Sequence, residues 1–348
     1  MKAALLKGVK ELVLDDIPIP EITDDEVLVE VKYCGICGSD LGAWRSAELM
    51  PPGTYMGHEF SGVLAKVGKN VKSWKVGDRV VCNELYECGE CYACTHGIYS
   101  CCPKAMSQEI GCTAGLENAG AFAKYVRVRY PEYRLFALPD EVSFEEAALV
   151  EPLACTLHAV RLSNFKPRES TVVLGAGMIG LGVIVHLKNA GAGLIVATEI
   201  SEKRASMAKR LGADYVFDPQ KVDVKGKVLE LTEGVGADVV FDCSGIPQAF
   251  QSATSFLRPR GQLLLMGIIT HEVPIVPVGF ILGEYSLQGS MCYYHEEFPM
   301  VIEFLSRHTS PIAEVITSKI KLSDIQNGFE ELSKPGTDEI KILVEPDE

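Results

Sequence analysis

The chain has 348 residues, 47% hydrophobic and 23% charged, with a formal net charge of −14. A chain of this length buries its own core without staples, and its acid excess excludes partners that need concentrated basic surface, namely nucleic acid and an anionic membrane. No apolar run approaches the ~20 residues of a membrane span. The opening MKAALLKGVKELVLDD turns charged too early for a secretory signal, so the expected compartment is a reducing cytoplasm. There disulfides are not expected, and those of the twelve cysteines that cluster are expected to hold metal.

The first part of the chain reads as β-rich. In VLVEVKY, Val27, Val29, Val31 and Tyr33 alternate with Glu30 and Lys32, the period of a strand with one buried face. FSGVLAKVG and VGDRVVC are further short strands punctuated by glycine. Near residue 153 the rhythm changes. STVVLGAG is a buried strand, MIGLGVIVHLKNAG a helix closed by Gly191, LIVAT a strand, and SEKRASMAKRLG a helix closed by Gly212. YVFD, KGKVLELT, ADVVFDCSG, a helix near 248–257 and GQLLLMG continue the series. Such alternation predicts parallel βαβ units. It stops near 290, where EEFPMVIEFLSRH adds a helix and EIKILVEP a terminal strand. The expected organisation is α/β: a β-rich domain over 1–153, a parallel-sheet domain over 154–290, and a segment 291–348 that returns to the first.

GAGMIG sits between the first strand and helix of that series and supplies Gly175, Gly177 and Gly180, with Met178 and Ile179 opening the helix. The first glycine permits a tight turn, the second lets backbone approach a pyrophosphate, and the third lets helix pack on strand. The helix N-terminus faces the phosphate charge. Glu199 lies 19 residues past the last glycine, where an acid accepts hydrogen bonds from ribose hydroxyls and repels a 2′-phosphate. The pattern predicts a Rossmann dinucleotide-binding domain that favours NAD over NADP. Arg204 has two readings, packing against the adenosine ribose or forming a salt bridge on its helix.

NELYECGECYACTHGIYSCC, within a lobe at about 83–105, holds five of the cysteines. Cys88, Cys91 and Cys94 are evenly spaced and Cys102 follows, with Cys101 as the competing fourth ligand. Four thiolates suit tetrahedral zinc with no open position. The spacing matches neither ferredoxin pattern, which disfavours an iron–sulfur cluster. A second set is dispersed: Cys34 and Cys37 in CGICGSD, His58 and Glu59 in GHEFSG, and Glu151 in VEPLACTLHA. A thiolate, an imidazole and carboxylates can hold a catalytic zinc with one position free; Cys34 is expected to stay a buried thiol.

In CGICGSDL, GHEFSG, VGDRVV, the four-cysteine lobe, ALVEPLA and GAGMIG, which occur in family order, the chain resembles the zinc-dependent medium-chain dehydrogenases over essentially its full length. The glutamate of VEPLA and the EEFP segment point to the polyol, 2,3-butanediol and threonine dehydrogenase branch. The resemblance implies a GroES-like catalytic domain beside the Rossmann domain, and a catalytic zinc surrounded by Cys37, His58 and Glu59. Glu151 would bind that zinc directly or through its water. It implies a structural zinc on Cys88, Cys91, Cys94 and Cys102, and Ser39 as the first member of a proton relay. The implied activity is reversible hydride transfer between NAD and a secondary alcohol or vicinal diol, giving a ketone, in a homo-oligomer, expected to be a tetramer rather than a dimer. The rival readings are a non-catalytic nucleotide- and metal-binding redox sensor, and a zinc-free quinone reductase of the same superfamily.

Two departures matter. Many relatives continue CGSDLH, with a histidine that passes the proton to solvent; here the position is Gly42. His295 in YYHEEF is the other histidine to consider for that task. GSMCYYHEEFP also lacks the basic residue that sorbitol-type relatives carry for polyol binding.

Overall fold

The computed structural model describes residues 1–46, 50–105 and 120–346. The chain divides into two units, one comprising residues 1–151, 294–309 and 316 onward, the other residues 152–293 and 310–315.

The first unit is organised by a seven-stranded sheet in the order Ile316–Lys321, Lys341–Glu345, Val27–Gly35, Glu59–Val67, Arg79–Cys82 and Leu135–Ala137, with Tyr125–Val128 also paired to Val27–Gly35. The central strand buries Val27, Val29 and Val31, as the alternation requires, and also Leu28, because both of its faces are covered there. Tyr33 is half-buried. Val29 and Val31 share a core with Phe60, Leu64, Phe122, Phe329 and Ile342, and each such side chain stabilises by about 1.5–3 kcal/mol on burial. Gly35 faces Glu59 across one antiparallel pair, and Leu343 faces Gly35 from the other side. These two pairings bring the strand ends at 35–37, 58–59 and 341 together.

The second unit carries a six-stranded parallel sheet in the order Tyr215–Phe217, Leu194–Thr198, Ser170–Leu174, Ala237–Asp242, Leu257–Leu265 and Ser286–Gly289. Its central strands, Leu194–Thr198, Ser170–Leu174 and Ala237–Asp242, are mainly apolar and buried, as expected of a parallel sheet covered on both faces. The strand order reverses beside Ser170–Leu174, and ligands of such sheets bind at the carboxyl ends of strands at that switch point. The helices Met178–Asn189 and Glu202–Leu211 end where glycines adopt positive φ, Gly191 at +81° and Gly212 at +121°.

The return of the chain to the first unit after residue 290 is interrupted. Ser310–Val315 belongs to the second unit. The short turn Ile312–Val315 buries Ile312 and Val315 and packs on the helix Met178–Asn189, while Glu314 pairs with Arg210. No periodicity reveals so short an excursion. The helix Ile325–Ser333 and the strand Ile316–Lys321, parallel to the terminal strand, are likewise additions to the elements read from sequence.

Candidate active site and metal-binding groups

Cys37 lies two residues past its strand, and the Gly35–Glu59 register sets it beside His58 and Glu59. The ligand atoms of these three residues lie within 4.8 Å of one another. Asp40 lies against two of them. Its Oδ2 accepts the Cys37 N–H at 3.0 Å, and its Oδ1 stands 3.6 Å from His58 Nδ1. The Ser39 N–H points to Cys37 Sγ at 3.5 Å, and Ser39 itself is half-buried. Lys341, fully buried, donates from Nζ to Glu59 Oε2 and, at 3.0 Å, to the Ile36 carbonyl. This close approach requires Gly35, since a β-carbon there would overlap Glu59 Oε2 and meet Lys341 Cε and Nζ at 3.2 Å.

Burial sets the electrostatics of the group. It pushes Asp40 up to about 6 and, with the Glu59 charge, raises the Cys37 thiol. It opposes the His58 imidazolium, but the charges of Glu84, Asp40 and Cys37 outweigh it and leave His58 well above its ordinary value. It opposes the Lys341 ammonium too, and Glu59 and Cys37 reverse the effect. Glu151, in the first turn of the helix Val150–Leu162, is buried and pushed up to about 8, by burial first and then by Glu84, with His58 opposing. Among the described residues the mutually close ligand set is Cys37, His58 and Glu59. Cys34 is a buried thiol. A thiol, an imidazole and a carboxylate crowded in low dielectric repel as much as they pair, and a divalent cation at their centre removes the conflict. The donor set fits zinc with one position open.

Cys88, Cys91, Cys94 and Cys102 form the other group, again within 4.8 Å of one another. Cys88 Sγ lies 4.0 Å from Cys94 Sγ and 3.7 Å from Cys102 Sγ. A tetrahedron of thiolates at the usual zinc–sulfur distance has edges of about 3.8 Å, so the lobe has the size the metal needs. The turn makes the group: Cys91 caps the helix Tyr92–Thr95 and accepts the Cys94 N–H. Backbone N–H groups of Glu90 and Cys91 pull the Cys88 thiol down to about 6, while burial pushes Cys94 up to about 12. Cys101 is exposed and outside the group.

In the second unit the glycines of the first strand–helix turn each show their use. Gly175 has φ +87°. A β-carbon on Gly177 would meet nothing within 4 Å, which leaves room for a pyrophosphate, and one on Gly180 would overlap the Gly175 carbonyl. Met178 and Ile179 begin the helix, whose free N–H groups face that space. Glu199 is tied to this turn. Its Oε2 accepts the Ala176 N–H at 2.9 Å, and its Oε1 accepts those of Ile200 and Ser201 at 2.8 and 3.0 Å. Arg204 lies in the first turn of the helix Glu202–Leu211.

Residues 23–140 match the family model of the alcohol dehydrogenase GroES-like domain, and residues 179–307 that of the zinc-binding dehydrogenase. A D-arabitol-phosphate dehydrogenase of Enterococcus avium is 35% identical over 97% of this chain and 95% of its own length. An (R,R)-butanediol dehydrogenase of Bacillus subtilis is 36% identical over 99% of this chain and 100% of its own. The chain belongs to the zinc-type medium-chain alcohol and polyol dehydrogenases. The fold agrees: the crystal structure of galactitol-1-phosphate dehydrogenase from Escherichia coli superposes with a TM-score of 0.88 at 28% identity, over 99% of this chain and 100% of that one.

Two residues of this dehydrogenase escape a reading of its sequence. Asp40 was open to it, three residues after Cys37 and able to turn back on the Cys37 N–H. Lys341 reads as a charge in a terminal strand. His295 donates from Nε2–H to the Tyr133 carbonyl at 2.8 Å, and its ring lies tilted against Tyr133 and Phe136.

Proposed function

We propose that the chain is a zinc-dependent oxidoreductase that moves a hydride reversibly between a secondary alcohol or vicinal diol and NAD, giving a ketone. The observation that carries this is the group Cys37, His58 and Glu59, three buried or half-buried donors of three chemical kinds within 4.8 Å. These would hold the catalytic zinc, with Glu151 beside it as an alternate ligand or a partner for water. Cys88, Cys91, Cys94 and Cys102 would hold a structural one. Bound in the open group, zinc supplies Lewis acidity that lowers the pKa of a substrate hydroxyl. Ser39 takes that proton onward, and with Gly42 in place of a histidine the next acceptor is water or a ribose hydroxyl. Lys341 keeps the Glu59 carboxylate in place and Asp40 orients His58. Both ligand groups speak against a zinc-free quinone reductase, and the open group speaks against a non-catalytic sensor.

The glycine turn would receive the NAD pyrophosphate on the backbone of Gly177, Met178, Ile179 and Gly180. Glu199, aimed by its three backbone donors, would accept the adenosine ribose hydroxyls and repel a 2′-phosphate; Arg204 would flank the ribose. The edge of Ser286–Gly289, unpaired among the described residues, with Leu287, Ile281 and Leu282 exposed around it, supports pairing with a second copy and hence a homo-oligomer, a tetramer in the first instance. A chain with so many free thiols suits a reducing cytoplasm.

Elemental analysis together with NADH absorbance over a panel of secondary alcohols and diols tests the reading. The expected result is two zinc ions per chain and oxidation of diols with NAD far faster than with NADP. Replacing Glu199→Ser together with Ile200→Arg should narrow the cofactor preference. Active protein without zinc, or equal kcat/KM for the two cofactors, would overturn the corresponding part.

A further inference from the structure

The first unit carries a groove of about 310 Å³ lined by Tyr86, Tyr130, Pro131 and Tyr133 and by the acids Asp25 and Glu132. None of the metal-binding residues lines it, and no lysine, arginine or histidine does. Tyr86 stacks on Tyr130 with ring centroids 4.1 Å apart and planes within 7°. It meets Tyr133 at 89°, with centroids 5.4 Å apart. The groove therefore has aromatic planes in two perpendicular directions. Tyr130 holds its place under strain. Its φ is +55°, a left-handed backbone that a bulky residue rarely adopts, and its side chain is left 45% exposed. Strain of this kind persists where the surroundings over-determine it, and it gathers at binding sites.

The groove is acid without a base. Asp25 Oδ1 accepts the Asn70 side-chain N–H at 2.9 Å, and Glu132 Oε1 accepts the backbone N–H groups of Lys72 and Ser73 at 2.8 and 3.0 Å. Neither carboxylate has an ion pair among the described residues. The cations close to them in sequence are used elsewhere: Lys69 on Asp24, Arg129 on Glu26, and Lys72 on the Lys69 carbonyl. A third acid is joined to the wall. Tyr133 donates its hydroxyl to Glu87 Oε2, and Glu87 Oε1 is buried without a hydrogen-bond partner. A phenol that donates to a carboxylate is polarised toward a more electron-rich ring, and a ring face attracts a cation. A hard metal ion fits poorly, because it takes about six oxygen ligands or more. One oxygen of each lining acid is already used by N–H donors, and much of the wall is ring and aliphatic carbon. A cation wrapped in carbon fits, since its alkyl groups pack on the rings while ring faces and acids meet its charge.

We propose that this groove binds a small organic cation, an alkylated ammonium group held by the rings of Tyr86, Tyr130 and Tyr133 and balanced by Asp25 and Glu132, at a site separate from both metal-binding groups. The test uses the zinc-loaded full-length protein and tetramethylammonium chloride, with sodium and calcium chloride at equal ionic strength beside it. Trp74 reports on the groove, since its Nε1–H donates to the Pro131 carbonyl at 3.1 Å; the other tryptophan, Trp44, is buried in the core. Tetramethylammonium should shift the tryptophan emission saturably, with a calorimetric Kd of about 1 mM or tighter, and sodium should not. Asp25→Asn with Glu132→Gln removes the charge and keeps the acceptors. Tyr130→Gly removes one ring and suits the left-handed backbone. Each should weaken the Kd at least about fivefold, with thermal melts showing both variants folded and alcohol oxidation unchanged. Saturating butanediol and NADH should leave the native Kd as it is. Four results would overturn the proposal: no saturable binding of tetramethylammonium, native and variant proteins binding it alike, its displacement by butanediol and NADH, or calcium binding in its place.

Discussion

The two metal-binding groups lie in the same unit and are built in opposite ways. Cys88, Cys91, Cys94 and Cys102 come from one short stretch, and the turn that joins them also aims them. Four like donors leave tetrahedral zinc no open position. Cys37, His58 and Glu59 come from two strand ends held by the register of the sheet, with Asp40 and Lys341 against them. Three unlike donors leave room for a ligand. A group made by a turn depends on its metal to stay folded, whereas a group made by a sheet is kept in place by a core that does not need the metal.

Single substitutions should separate the two. Cys37→Ser should cost turnover several kcal/mol of transition-state stabilisation, about a thousandfold or more, with the thermal melt close to native and one zinc lost of two. Activity that survives it would break the contrast. Cys91→Ser should do the reverse, because structural zinc contributes folding free energy: amide exchange should rise across 88–105 and solubility fall. A mild chelator, likewise, is expected to abolish activity before it exposes those amides.

Lys341→Met bears on why the open group persists without help from a turn. It leaves the Glu59 carboxylate buried and unpaired, which should cost about 3–5 kcal/mol in urea unfolding. Measured on zinc-free protein, that loss belongs to the ion pair rather than to the metal; a loss below about 1 kcal/mol would mean that Glu59 is held in some other way. The smallest effect is expected from Gly42→His. A histidine there titrates near neutrality and should raise alcohol oxidation at neutral pH a few-fold, with less gain in alkali. His295→Ala, its control, should leave the pH profile unchanged because that ring is held by Tyr133 and Phe136.

Legibility follows the same division. The four-cysteine lobe and the glycine turn can be read directly, because their geometry is set within a few residues: Gly175 takes its positive φ where the first glycine of GAGMIG demands a tight turn, and Glu199 reaches back to that turn from the end of the next strand. Ser310–Val315 could not be read, since so short an excursion into the second unit leaves no period in the sequence.

Local spacing by itself determined the alternation of strand and helix, the dinucleotide turn, the closed thiol group and the types of ligand available at 37, 58 and 59. Only the tertiary structure decided that Lys341, 282 residues from Glu59, neutralises it, and that Asp40 lies against both Cys37 and His58. The physical reason is that a buried charge is tolerated only where a partner reaches it. Sheet register, which joins strands from opposite ends of the chain, chooses those partners.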